Sequence, residues 1–214
     1  NIPYKIYGGL SFYQRKEIKD LLAYFRLAIN PNDEEALKRI INYPRRGIGL
    51  STLQNLSLIA NSNNASIWET IINLDKNSQI NKGTKKKLND FSILINEFIL
   101  KSKNKDAYYA SEEIAKQSGL FNELYNDKSP EGVSRFENIQ ELLNGIKNFV
   151  EQSEEESNKL EDFMQDIALL TDQDIENDKD FNKVTLMTVH AAKGLEFPYV
   201  FVVGLEENMF PNIM

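Results

Sequence analysis

Two short stretches of the chain carry residue types at spacings that could do chemistry. Pro44-Arg45-Arg46-Gly47-Ile48-Gly49 reads as a turn between two helices. Glycines let a backbone approach a ligand closely, and consecutive N–H groups ahead of a helix favour phosphate. Arginines beside that turn, Arg46 above all, would add charge-assisted bonds to a nucleic-acid backbone. An ordinary interhelical turn, with glycine closing the first helix, is the alternative. The second stretch is Thr188-Val189-His190-Ala191-Ala192-Lys193-Gly194-Leu195-Glu196-Phe197-Pro198. Polar residues gathered beyond the carboxyl end of a buried strand are where open α/β sheets bind ligands. His190 could bond a phosphate or stack on a base, and Glu196 could accept bonds from a ribose hydroxyl. A lone histidine satisfied inside the protein is the alternative there.

Composition excludes other chemistries. The 214 residues include no cysteine and one histidine, so a thiolate nucleophile, a disulfide and a multi-histidine zinc site are all out. No Gly-Lys dipeptide exists to build a phosphate-cradling P-loop, and no G-x-G-x-x-G occurs. No apolar run approaches the ~20 residues of a membrane helix, and a cysteine-free chain fits a reducing cytoplasm. The opening Asn1-Ile2-Pro3 and the abrupt end at Met214 suggest a piece of something longer.

The net charge of −7 conceals an asymmetry. Residues 151–180 hold twelve carboxylates against Lys159 and Lys179, a local −10, which leaves +3 on the other 184 residues. Basic clusters stand at Arg45-Arg46, at Lys82, Lys85, Lys86 and Lys87, and at Lys101, Lys103 and Lys105. Such patches suit a polyanion, or are simply solvated helix faces.

These residues need elements to position them. Apolar runs predict strands at Tyr4–Tyr7, Val184–Val189 and Tyr199–Val203, buried on both faces beneath helices. Proline is absent from 45 to 129, so helices dominate the middle. Ile18, Leu21, Leu22, Phe25 and Ile29 repeat at helical spacing until Pro31. Asp33 reads as an N-cap; Ser51 with Gln54, and Ser66 with Glu69, match capping boxes. Leu88, Phe91, Ile95 and Phe98 mark another helix. Phe136 to Phe149 marks a longer one begun at Ser129-Pro130, and Leu160 to Ile167 the last. Asp172 to Lys183 reads as an acidic linker. The fold expected is mainly α with a small α/β part, a helical block inserted between strands of one sheet.

Three segments together point to a family. Gly8-Gly9-Leu10-Ser11-Phe12-Tyr13-Gln14-Arg15-Lys16-Glu17-Ile18-Lys19-Asp20 resembles a segment of the superfamily 1A DNA helicases of the UvrD/PcrA/Rep group. Arg46-Gly47-Ile48-Gly49 is similar to their duplex-contacting loop. Thr188 to Pro198, followed by Val202 to Pro211, resembles their motif V region and the strand after it. Arg135-Phe136-Glu137-Asn138-Ile139-Gln140-Glu141-Leu142 resembles a further recurrent segment.

The resemblance implies a partial RecA-like domain 2A, of the P-loop NTPase type, at 1–30 and 181–214, interrupted by a helical domain 2B at 31–180. It implies ATP and Mg²⁺ as cofactors of the whole protein, with ATP bound between domains 1A and 2A, and 3′–5′ movement on DNA. Gly194 and Glu196 would sit at the nucleotide. Thr188 and His190 would meet single-stranded DNA. Gly47, Ile48 and Gly49, with Arg46 beside them, would grip the duplex. Arg15, Glu17 and Asp20 would pack and position domains. Partners would be DNA, at single strand and duplex junction, the remaining domains 1A, 1B and the rest of 2A, and repair or replication proteins, in a bacterial cytoplasm at the nucleoid. The P-loop, the acidic Mg²⁺ motif and the arginine finger of the family have no counterpart in this sequence, so the chain alone is expected to neither hydrolyse ATP nor unwind DNA. A regulatory protein-interaction module working through the acidic 151–180 stretch is the alternative function. A helicase–nuclease is a third, without a nuclease cluster to support it.

Overall fold

The computed structural model describes residues 3–7, 12–74, 80–153, 157–176, 183–187, 189 and 192–204. The chain divides into two compact units, Ser11–Asn177 and the pair of end segments Asn1–Leu10 with Asp178–Met214.

The larger unit is helical: α1 (Lys16–Ile29), α2 (Glu34–Ile40), α3 (Leu50–Ser62), α4 (Ile67–Ile72), α5 (Lys82–Asn104), α6 (Ala107–Gln117), α7 (Leu120–Asn126), α8 (Pro130–Gln152) and α9 (Leu160–Glu176). Local chemistry starts most of them. Asp33 caps α2 by accepting the Ala36 N–H at 3.0 Å. Ser66 and Glu69 form a reciprocal capping box on α4. Ser129 caps α8, with Pro130 in its first turn. Asn81 and Asp106 cap α5 and α6.

α1 is the hub of this unit. Ile18, Leu21, Tyr24, Phe25, Leu27 and Ala28 are fully buried, with α2, α5, α8, α9 and α6 packed around them. Each such large apolar side chain contributes about 1.5–3 kcal/mol through burial. The compact units therefore part before α1, at Leu10–Ser11, and again at Asn177–Asp178. The sequence reading divides the chain after α1, at Asn30, and at Asp180.

In the smaller unit β1 (Tyr4–Tyr7) and β2 (Val184–Met187) form a parallel pair, with Tyr4 opposite Val184 and Tyr7 opposite Met187. Parallel strands need a crossover, and the chain between these two contains the entire helical unit. The strand expected at Tyr199–Val203 is not one. Among the described residues no strand lies beside this segment to share a ladder, and Tyr199 and Phe201 are 86% and 91% exposed. β2 likewise presents Val184 and Leu186 to solvent rather than being buried on both faces.

Two helix ends also differ from expectation. α3 begins at Leu50 with Gly49 as N-cap, so Ser51 does not cap it. α9 continues through Asp172 to Glu176, where a linker is expected; no proline or glycine lies in that stretch to end the helix.

Candidate nucleic-acid interface

The turn between α2 and α3 is held from inside by Asn42. Its Oδ1 accepts the N–H of Arg46 and the N–H of Ile48, each at 3.0 Å. The Ile48 side chain, 1% exposed, plugs into the core beneath. Ile48 thus anchors the turn, and its N–H is already engaged.

Arg46 points inward as well. Its Nη1 donates to the carbonyls of Ile40 and Pro44, both at 3.1 Å. Its Nη2 donates to the Tyr24 hydroxyl at 2.7 Å and to the Ser118 carbonyl at 2.8 Å. The guanidinium carbon lies 5.7 Å from the Tyr24 ring centre and 5.6 Å from that of Phe91, within cation–π range. The Tyr24 hydroxyl donates in turn to the Tyr43 carbonyl at 2.5 Å. Burial pushes the Tyr24 phenol up to about 12, against the opposing pull of the Arg46 charge. The side chain expected to reach a phosphate is instead a brace that satisfies carbonyls left over at the turn.

What faces outward is glycine backbone and other cations. Gly47 has φ +70°, a left-handed conformation that favours glycine. Lys87, from α5, donates from Nζ to the Gly47 carbonyl at 3.0 Å. A Cβ on Gly47 would stand 2.7 Å from that Nζ. Gly49 differs. Its φ of −84° suits any residue, and nothing lies within 4 Å of where a Cβ would project. Packing within the chain therefore leaves space for a side chain there. Gly49 also leaves α3 without a side-chain cap; its carbonyl accepts the Thr52 and Leu53 N–H groups at 3.0 and 3.2 Å, so the N–H groups that stay open are those of Leu50 and Ser51. Arg45 is exposed beside them.

Arg15, Glu17 and Asp20 tie the start of α1 to neighbouring helices. Arg15 donates to Asn138 Oδ1, and Asn138 Nδ2 donates to Glu17 Oε1 at 2.6 Å, joining α1 to α8. Asp20 accepts from Lys16 at 2.8 Å and from Arg39 at 2.7 Å, joining α1 to α2. Glu17 and Asp20 are nearly fully buried, so these bonds offset a considerable desolvation cost.

In the smaller unit, Gly194 has φ +83° with open space around it, in a turn closed by Leu195 N–H to the Ala192 carbonyl at 3.0 Å. Glu196 follows, exposed. Thr188 and His190 lie outside the described residues. Among the described residues no cluster of three histidine or carboxylate side chains could hold a metal ion, and no helix is long and apolar enough to cross a membrane.

Sequence reasoning passed over Asn42, Tyr24, Ser118 and Asn138 as members of these networks. It noted Lys87 only within a lysine cluster. Tyr24, Ser118, Asn138 and Lys87 have no local signal, because their partners lie far away in the chain, whereas Asn42 bonds N–H groups only four and six residues on.

The chain belongs to the UvrD-like helicase C-terminal domain family, whose pattern matches residues 1–214. It is 41% identical over 213 residues to the ATP-dependent DNA helicase PcrA of Staphylococcus aureus strain Mu50, and 40% identical to PcrA of Staphylococcus epidermidis strain RP62A. Each alignment covers all of this chain and 29% of the relative, so the chain spans under a third of those proteins' length.

Proposed function

We propose that this chain is the part of an ATP-dependent 3′–5′ DNA helicase that carries a helical 2B-type domain and a portion of RecA-like domain 2A. Its local task is to hold duplex DNA ahead of the motor. Gly49 is the observation that carries this: a glycine with open space where its Cβ would be, at an N-terminus of α3 that has no side-chain cap. Backbone N–H groups and nearby cations suit phosphate oxygens and are indifferent to sequence. Gly47 and Gly49 bring the backbone close, Ile48 seats the turn, and Arg46 positions it through the α6–α7 junction.

The smaller unit contributes one side of a nucleotide site. The exposed Glu196 carboxylate suits ribose hydroxyls, with Gly194 keeping the backbone clear beside it. Thr188 and His190 would touch the translocating single strand. ATP with Mg²⁺ supplies the phosphoryl-transfer chemistry, whose charge-stabilising groups this sequence lacks. The remaining partners are domains 1A and 1B and the rest of 2A.

Fluorescence-anisotropy titration of the chain with a hairpin duplex bearing a 3′ single-stranded tail, across a salt series, tests this. Binding that weakens steeply with salt is expected. Absence of binding at low salt overturns the duplex-holding role.

A further inference from the structure

We infer that Lys87, delivered by α5, is the cation that binds duplex phosphate at the Gly47–Gly49 turn. This rests on the reading of that turn as a duplex grip. Arg46 is excluded from the part because its terminal nitrogens are engaged by Ile40, Pro44, Tyr24 and Ser118. Lys87 is exposed, and among the described residues no carboxylate pairs with it. Its Nζ touches the turn itself, 3.0 Å from the Gly47 carbonyl.

That contact has an electrostatic consequence. The Gly47 carbonyl is a partial negative charge at the surface meant for phosphate. A lysine ammonium over it cancels that repulsion and reverses the local sign. Nζ carries three N–H donors and the carbonyl takes one, leaving two for a phosphate oxygen. Gly47 makes room for it, since any Cβ would stand 2.7 Å from Nζ. Lys86 and Lys82, exposed on the same helix, extend the positive field without touching the turn.

The test is the dependence of duplex affinity on salt for the chain and four lysine variants, with Gly49→Ser as a fifth. Lys87→Ala and Lys87→Gln are expected to lower the slope of log K against log salt by about 0.9, one phosphate contact. Lys87→Arg should keep it, and so should Lys103→Ala, at the far end of α5. The thermal midpoint should stay unchanged in all four, separating a phosphate contact from a structural tie. Wild-type slopes for Lys87→Ala, with Gly49→Ser still weakening binding, would overturn the assignment of Lys87 and leave the duplex grip standing. Duplex affinity untouched by both Lys87→Ala and Gly49→Ser would overturn both.

Discussion

Arg46 donates to the Ser118 carbonyl across 2.8 Å, tying the α2–α3 turn to the end of α6, 72 residues further along the chain. Gly119, next to Ser118, has φ +85° and lies against the Pro44 ring, 3.6 Å from where its Cβ would be. The proposed DNA-facing turn is therefore rigid on its inner side. A grip made from backbone groups needs that, because N–H groups bind an anion well only when held in place beforehand.

Arg46→Ala should cost about 3 kcal/mol of stability, since it strips the donors from three carbonyls and one buried hydroxyl. Arg46→Lys should recover less than half, because one ammonium cannot span acceptors that a planar fork reaches. Urea denaturation checks this. A near-neutral Arg46→Ala whose salt slope nonetheless falls by one phosphate would return the side chain to the DNA surface.

The two glycines of the turn should respond differently. Gly47→Ala should destabilise by about 1–2 kcal/mol through its positive φ. Gly49→Ser should be neutral or stabilise by a few tenths of a kcal/mol, as serine is a preferred N-cap. It should nevertheless weaken duplex binding several-fold, because the side chain fills the approach. Stability and anisotropy measured on the same preparations separate the effects; duplex affinity unchanged in Gly49→Ser would remove the argument for close approach.

Asn138→Ala should cost about 2–3 kcal/mol, leaving Glu17 buried without its donor. A double-mutant cycle with Glu17→Gln should show a coupling of about 1 kcal/mol. Additive effects would mean the α1–α8 bridge is incidental to their packing.

Asp33 makes a pH-dependent contribution. Partial burial pushes its carboxyl up, but bonds from the Ala36 N–H and Arg26 outweigh this and hold it below the ordinary range. The folded-state value lies below the unfolded one. The stabilisation is therefore full above the unfolded value and is lost as pH falls through the folded one. Asp33→Asn keeps an N-cap and removes the charge. Its deficit should be under about 1 kcal/mol at neutral pH, since Arg26 is partly exposed, and should vanish in acid. A deficit that persists at low pH would assign the effect to the cap geometry instead.

Family and helix positions were legible in the sequence because their causes are local. Asp33 and Ala36, or Ser66 and Glu69, are three residues apart, and a cap needs nothing more. The apolar stripe Leu88, Phe91, Ile95, Phe98 declares a buried helix face by spacing alone. Long-range pairing decided the rest. The sequence places Arg46 beside a glycine turn but cannot show that Tyr24 and Ser118 face it. It places four lysines near one another but cannot select Lys87, whose partner is 40 residues earlier. Tyr199 to Val203 has the composition of a buried strand and is exposed, because apolar residues form a strand only beside another strand. Local propensity sets which elements exist; which face of each is inward, and which cation stands over the turn, is settled only when distant segments meet.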